Sequence, residues 1–344
     1  MRLLVEFSHP AQVHKFKHLL ARLQNRGWAV LVLSRDKDVL LDLLADAGLP
    51  HVCLSRARSG PVAMAFELLL REARTLYHVV RFRPTLILAA ESVAVTHIGW
   101  LFRVPRVVHD ENEPATLQQR LFVPFATRLV TTTAYTKDFG AKQRRIDSLE
   151  PLAYLHPNCF QADGSVLSKY GLSADRPHVV LRIIAWRAAH DVGLAGMDDA
   201  EVGRLIAAIR AAGVADIVAT IEDRRDLVLD DRILTVDPVD FHQVLAGAAL
   251  CVSEGVSVAI EAAVLGVPTI LANPCRIGNA LELARYDLLQ QILDPAAVID
   301  RVAEILADDG ARTRAALARD RLLADKRPFT DAFEEVLLEV AGNG

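Results

Sequence analysis

The sequence lacks the features that define several classes of protein. Its four cysteines are scattered over 344 residues without a Cys-x-x-Cys pair, which favours reduced structural cysteines over a disulfide framework or a zinc site. The formal net charge of −4 predicts no nucleic-acid partner. No apolar run approaches the roughly 18 to 20 residues that span a bilayer. Because Glu6 interrupts the first apolar run, no signal peptide is expected, and we predict a cytoplasmic protein.

The sequence does contain a repeated alternation of apolar runs and helical patterns. Hydrophobic residues make up 52% of the chain, which is enough for a large core. Strands are predicted at 2–7, 29–34, 51–54, 85–90, 106–109 and 128–132. Their near-continuous apolar character indicates a parallel sheet covered by helices on both faces. We predict a first Rossmann-like domain over residues 1–160, with a linker that begins at about residue 147.

A second alternation follows the linker. Strands are predicted at 178–184, 215–220, 232–235, 249–252 and 268–271. These define a second Rossmann-like domain over residues 161–327, and the amphipathic segment 328–344 is expected to form a helix that packs back on the first domain. The predicted fold class is therefore α/β, with two doubly wound parallel sheets facing across a cleft where ligands bind at the strand ends.

The stretch LCVSEGVSVAIEAAVLGVPTILANP, residues 250–274, predicts a strand, a tight turn and a helix that begins near Ser257. Gly255 allows a ligand to approach the backbone, and Ser257 can cap the helix. The free N–H groups at a helix start suit a diphosphate, and Glu261, one turn later, can accept from ribose hydroxyls. Many strand–turn–helix units contain Ser and Gly, so a purely structural role stays open on this pattern alone.

Three acids, Glu91, Asp110 and Glu111, each follow an apolar strand of the first domain. The carboxyl ends of neighbouring parallel strands meet at one edge of a sheet, so these side chains should converge. Their mutual repulsion should raise the pKa of at least one of them and create a poised base. A helix-capping role would explain any one of the three. Glu113 is expected in solvent.

The first strand ends at Ser8-His9-Pro10, and His14 follows on the next helix. Histidine titrates near neutrality, which makes His14 a candidate general base toward an acceptor hydroxyl. The structural alternative is a helix-start histidine bonded to water or backbone. His9 is expected to shape the loop.

The stretch RIIAWRAAHDVG, residues 182–193, follows the first strand of the second domain. Arg182 and Arg187 could neutralise a leaving diphosphate. His190 could reach the same ligand. Trp186 could stack on a sugar or base, and core packing is an equal alternative.

The pattern G-x-S-x-x-x-E-A-A-x-x-G-x-P, which begins at Gly255, resembles the nucleotide-sugar signature of the GT-B superfamily. That superfamily contains glycosyltransferases and non-hydrolysing UDP-N-acetylglucosamine 2-epimerases. The resemblance implies that Gly255, Val256 and Ser257 hold a donor diphosphate and that Glu261 holds its ribose.

Nearly the whole chain resembles an uncharacterised bacterial and archaeal family of predicted GT-B proteins. Four motifs carry this resemblance: Pro-x-x-Val-His (10–14), His-Asp-Glu (109–111), Glu-x-Leu-Ala-Tyr-Leu-His-Pro (150–157), and Arg182 with Trp186.

The resemblance implies a metal-independent glycosyltransferase that moves a sugar, most readily from a UDP-sugar, to a cell-envelope polysaccharide or glycolipid. No D-x-D motif stands in a convincing loop. A nucleotide-sugar 2-epimerase or hydrolase, with Glu91 and Glu111 as acid and base, is the alternative. An inactive binding protein is a further alternative. Epimerases carry Thr-His-Arg-Arg-Glu-Asn where this chain has the Trp186 loop, and this departure counts against epimerisation.

Residues 56–83 carry six arginines and two acids, interleaved with Leu, Phe and Tyr. A basic amphipathic helix can lie on an anionic membrane, which would place the protein at the inner membrane face. A solvated helix face is the common alternative.

Overall fold

The computed structural model describes residues 1–186, 196–222 and 233–342. The chain divides into two compact units. The first comprises Met1–Tyr154 together with Arg327–Gly344, and the second comprises Leu155–Lys326.

The first unit is built on a seven-stranded, fully parallel sheet with the order β3-β2-β1-β4-β5-β6-β7. Its strands are β1 (Arg2–Phe7), β2 (Ala29–Asp36), β3 (His51–Arg56), β4 (Leu86–Ala90), β5 (Arg106–His109), β6 (Arg128–Thr132) and β7 (Gln143–Ile146). The strand order reverses direction between β1 and β4. In doubly wound sheets, such a switch point opens a crevice at the carboxyl ends of the strands.

Helices cover both faces of this sheet: α1 (Pro10–Asn25), α2 (Leu40–Asp46), α3 (Pro61–Phe82), α4 (Val93–Leu101) and α5 (Thr116–Phe122). Leu4, Ile87 and Val108 of the strands pack with Val79 and Phe122 of the helices in one apolar core. The six predicted strands of this unit correspond to β1–β6, and β7 was not predicted. That strand, Gln-Arg-Arg-Ile, lies at the sheet edge and carries no apolar pattern.

A buried carboxylate fixes the start of α4. Glu6, fully buried in β1, accepts hydrogen bonds from the Nε atom of Arg71 at 2.9 Å and from the backbone N–H of Val95 at 3.3 Å. The Ser92 hydroxyl also donates to Glu6. Ser92 therefore has a structural role, which holds the chain in place directly after Glu91.

The second unit is built on a six-stranded parallel sheet with the order β10-β9-β8-β11-β12-β13. Its strands are β8 (His178–Ile183), β9 (Asp216–Ile221), β10 (Ile233–Leu234), β11 (Leu250–Ser253), β12 (Thr269–Leu271) and β13 (Leu289–Gln291). Its helices are α6 (Ser165–Lys169), α7 (Asp199–Ala211), α8 (Phe241–Gly247), α9 (Val256–Val264), α10 (Gly278–Arg285), α11 (Pro295–Leu306) and α12 (Ala311–Asp325). Strand β13 was not predicted, because Leu-Gln-Gln at a sheet edge has no apolar run. The switch point lies between β8 and β11.

The last helix, α13 (Phe329–Gly342), packs on α1 of the first unit. The Phe16 ring centroid lies 5.2 Å from that of Phe333. At the rim of this contact, Arg22 pairs with Asp331 at 2.6 Å and Arg26 pairs with Glu334 at 2.7 Å. Among the described helices, none combines the length and the apolar character needed to cross a bilayer.

Candidate functional site

A side chain of α1 bridges the two strands at the switch point of the first sheet. Gln12 accepts hydrogen bonds from the backbone N–H groups of Ser8 at 2.7 Å and His9 at 3.1 Å, and its own amide donates to the carbonyl of Ala90 at 2.9 Å. The ends of β1 and β4 are therefore held together. As expected, His9 shapes this loop, because its Nδ1 atom accepts from Ala11 N at 3.3 Å and caps α1.

The three predicted acids lie together beside this point. Glu91 follows β4, and Asp110 and Glu111 follow the neighbouring strand β5, with Ala90 and His109 paired in register. The backbone N–H of Glu111 donates to Oε1 of Glu91 at 3.1 Å. The sequence-based expectation that these side chains converge is thus met by the geometry.

Glu91 has an unusual backbone and an unusual acidity. Its φ of 55° lies in the left-handed region, which disfavours side chains other than glycine. The conformation is held by bonds from Glu91 N to the carbonyl of His109 at 3.0 Å and from Gln118 Nε2 to the carbonyl of Glu91 at 2.6 Å. Burial, followed by the charges of Glu111 and Asp110, raises the pKa of Glu91 to about 8. At neutral pH its carboxyl group therefore holds a proton.

Lys15 of α1 supplies the positive charge of the cluster. Its Nζ atom lies 2.5 Å from Oε1 of Glu111, and the side-chain exposures are 3% for Lys15 and 31% for Glu111. The lysine is therefore buried while the carboxylate keeps contact with solvent. Sequence analysis missed Lys15, although a signal existed: the residue lies between Val13 and Phe16 on the apolar side of α1, where a lysine needs a buried partner.

Asp110 is buried in a hydrogen-bonded network. It accepts from the Tyr135 hydroxyl at 2.5 Å, from Gln119 Nε2 at 3.0 Å and from Asn112 N at 3.1 Å. Burial raises the pKa of Asp110 to about 6, against the lowering effect of these hydrogen bonds. Burial and the Asp110 charge raise the pKa of Tyr135 in turn. Asp110 therefore holds the loop that carries Glu111 in place, and its catalytic role stays a prediction.

A neutral histidine lies behind the cluster. His109 is 1% exposed, and its ring packs edge-on against Phe16 at 5.7 Å and Phe329 at 5.5 Å. Burial, followed by the charge of Lys15, lowers its pKa well below the usual value. Glu113, which was expected in solvent, is buried instead, because Oε1 of its carboxylate accepts from Thr136 N at 2.6 Å.

His14 lies on the same helix as Gln12 and Lys15, α1. Its half-buried ring sits 5.5 Å from the ring of Tyr154, at a tilt of 37°. Tyr154 follows a short 3₁₀ turn formed by Glu150–Ala153. The geometry therefore joins Glu91, Asp110 and Glu111 and places His14 against an aromatic ring.

In the second unit, the buried side chain of Glu254 organises the switch point. Its Oε2 atom accepts from Ile184 N at 3.0 Å and from the indole N–H of Trp186 at 3.1 Å, and its Oε1 atom accepts from Met197 N at 2.8 Å. The indole N–H thus holds Trp186 in place. The backbone of this residue has a φ of 51°, in the left-handed region. Sequence analysis did not single out Glu254, although its place directly after a buried strand matches that of Glu91.

The predicted donor loop follows Glu254. Helix α9 begins at Val256, one residue earlier than expected, and Gly255 occupies the cap position without a side-chain cap. The prediction that Ser257 caps the helix is therefore wrong: its exposed side chain lies within the first turn. Glu261 lies 3.3 Å from Nε2 of His242. The uncapped amides at the start of α9 have the geometry that binds anions elsewhere.

Arg182 lies beside this helix start. A Cβ atom added to Gly255 would come within 3.1 Å of Arg182 Cγ, so the two residues are in close contact. The guanidinium of Arg182 also pairs with Glu222. Arg187 and His190 lie outside the described residues. Over the described ranges, no cluster of three or more His, Cys, Asp or Glu side chains could hold a metal ion.

A family model described as a protein of unknown function (DUF354) matches residues 1–320. The chain belongs to this family. An uncharacterised protein from Methanocaldococcus jannaschii is 20% identical over 286 residues, which cover 78% of this chain and 81% of the relative. The family assignment agrees with the resemblance that the motifs indicated.

Solved structures show the fold of this DUF354 chain. UDP-GlcNAc 2-epimerase from Neisseria meningitidis bound to UDP-GlcNAc superposes with a TM-score of 0.69 at 11% identity, over 100% of each chain. The glycosyltransferase VinC in complex with dTDP superposes with a TM-score of 0.67 at 16% identity, also over 100% of each chain. The two parallel sheets with helices on both sides are therefore those of the GT-B fold, as predicted.

Proposed function

We propose that this protein is a nucleotide-sugar-dependent glycosyltransferase whose acceptor is a polysaccharide or glycolipid of the cell envelope. The acid cluster at the switch point of the first sheet carries the proposal, because it pairs a protonated Glu91 with the partly exposed carboxylate of Glu111. Left-handed backbone at Glu91 adds support, since such strain concentrates at functional sites.

In this proposal the second unit binds the donor. The diphosphate lies at Gly255, Val256 and Ser257, where the amides of α9 are uncapped, and Glu261 accepts from the ribose. Arg182 and Trp186 flank the ligand. The sequence-based prediction adds Arg187 and His190 to these proposed donor-binding residues. The solved neighbours bound to UDP-GlcNAc and dTDP make a UDP-sugar or a related donor the first choice for a ligand screen.

The proposed reaction is a single displacement. The acceptor oxygen bonds to the anomeric carbon of the sugar as the bond from that carbon to the diphosphate oxygen breaks. The acceptor proton passes to the Glu111 carboxylate, or to His14 in the alternative assignment, and the nucleoside diphosphate leaves. The helix start and Arg182 stabilise the departing charge, so the proposed mechanism is metal-independent.

The epimerase or hydrolase reaction remains the second candidate. The same two glutamates support it. Glu91 holds a proton, whereas the carboxylate of Glu111 faces Lys15. Such a pair can serve as the acid and the base of an epimerisation or hydrolysis.

Incubation with UDP-sugars, with and without lipid-linked glycans, separates the two candidates. A transferase releases little nucleoside diphosphate from donor alone, and the release rises with acceptor. Rapid conversion of donor alone to a C2-epimeric sugar, followed by NMR, would contradict transfer and establish the second candidate. Tight nucleotide binding without turnover under all of these conditions would instead identify a binding protein.

A further inference from the structure

Helix α3 is built with its polar side turned inward. Its buried positions are Glu67, Arg71, Thr75 and Val79, spaced four residues apart along one ridge. Glu67 accepts a bidentate bond from Arg35 at 2.7 and 2.8 Å and a third bond from Ser55 at 2.7 Å. Arg71 binds the buried Glu6. These buried ion pairs determine which side of α3 faces the sheet.

The opposite side of α3 presents a stripe of apolar side chains to solvent. We call this stripe the α3 face, and it consists of Val62, Phe66, Leu69, Leu76, Tyr77 and Val80. The exposure is large: 64% for Leu69 and 59% for Tyr77. Contiguous exposed apolar surface of this kind marks a site of interaction with another protein or with a membrane.

Neighbouring helices extend the α3 face. The His97 ring of α4 bonds to Glu72 of α3 at 2.7 Å through Nδ1 and to the carbonyl of Leu121 in α5 at 2.8 Å through Nε2. Trp100 and Leu101, one turn beyond His97, are 55% and 61% exposed. Leu117 and Leu121 of α5 are exposed as well, so three neighbouring helices each carry exposed apolar side chains.

The charge on this surface has one sign. The guanidinium of the exposed Arg58 lies 5.9 Å from the ring centroid of Phe66, and Arg81 and Arg83 are exposed at the other end of α3. The two acids of α3 are both paired, Glu67 with the Arg35 guanidinium and Glu72 with the His97 ring, and α4 and α5 contain no acid.

We propose that the α3 face docks the protein on a bilayer rich in anionic phospholipid. Aromatic and aliphatic side chains enter the interface while arginines contact the phosphate groups, which is how amphipathic basic helices bind membranes. A second copy of the chain fits less well, because a two-fold contact would bring Arg81 and Arg83 against a face without exposed acids. Docking needs neither donor nor acceptor and therefore stands apart from the proposed reaction.

Vesicle flotation of the full chain tests this proposal. Wild type should float with vesicles of phosphatidylcholine and phosphatidylglycerol, should bind weakly to phosphatidylcholine alone, and should be released by salt. Arg81→Glu/Arg83→Glu should lower the partition coefficient at least about 25-fold, because each basic residue at an anionic surface contributes about a factor of five. Phe66→Ser/Leu69→Ser should lower it at least about tenfold.

Leu317→Ser is the matched control, because Leu317 is 61% exposed on α12 of the second unit. The control should float like wild type, and all variants should keep the wild-type melting temperature because the changed side chains are exposed. Equal binding by wild type and the two double variants would overturn the proposal. So would a concentration-dependent dimer in sedimentation velocity that Phe66→Ser/Leu69→Ser abolishes, since the face would then serve a second copy.

Discussion

Glu91 and Glu254 occupy the same topological position in the two units, directly after the fourth strand of each sheet, next to the switch point. Their surroundings are opposite. Glu254 accepts from three N–H donors. Glu91 accepts from one described N–H group and faces the charges of Glu111 and Asp110.

The two carboxyl groups therefore differ in what their surroundings favour. A carboxylate surrounded by N–H donors is an anchor, because its negative charge organises the chain segments that donate to it. Other acids crowd the carboxyl of Glu91, and its pKa is raised to about 8. Such a group can exchange a proton near neutral pH. The same place in the two sheets thus holds a carboxyl crowded by acids in one unit and a carboxylate that organises the surrounding loops in the other.

The largest expected effect is on turnover. Glu111→Gln keeps the size of the side chain but removes the proton acceptor, so we expect turnover to fall roughly 10²- to 10⁴-fold. His14→Ala tests the alternative base in the same assay. A full loss in His14→Ala with activity retained in Glu111→Gln would reverse the assignment, and melting curves of both variants control for folding.

Glu254→Gln should destabilise the fold by about 2–3 kcal/mol. An amide keeps one oxygen, so its NH₂ group must face at least one of the donors at Ile184, Trp186 and Met197. Urea unfolding followed by circular dichroism measures the change, with Glu304→Gln on the exposed side of α11 as a control. Unchanged stability would remove the contrast between the two glutamates.

Glu261→Ala should weaken binding of UDP by on the order of 1.5–3 kcal/mol, the value of a hydrogen bond to a charged group. Titration calorimetry with wild type and variant measures the loss. Glu222→Ala serves as a comparison, because it frees Arg182 without removing a proposed ribose contact. Equal affinity in wild type and Glu261→Ala would place the donor elsewhere.

The smallest effect concerns pH. Because the pKa of Glu91 is raised from 4.5 to about 8 in the folded state, its contribution to stability is complete below pH 4.5 and is lost as pH rises through 8. Glu91→Gln cannot ionise, so its stability relative to wild type should rise by roughly 1–2 kcal/mol between pH 6.5 and pH 8. Parallel stability profiles for the two proteins would contradict the raised pKa.

Much of the site could be predicted because strand periodicity shows where strands end. Glu91, Asp110 and Glu111 were found in this way, as was the start of α9 to within one residue. Glu113 was misplaced, because its burial depends on a bond to Thr136 that local sequence does not reveal. The edge strands β7 and β13 were not predicted, because a strand at a sheet edge can consist of polar residues and then has no apolar run.

The sequence by itself determined the two alternating α/β units, because apolar runs and helical periodicity record which residues must leave water. Only the tertiary structure decided the state of each charged group. Lys15 meets Glu111 through an approach of α1 to β5, and Glu254 meets Trp186 and Met197 across long separations in sequence. A pKa depends on neighbours in space and on burial, and both quantities arise only when distant segments of the chain pack together.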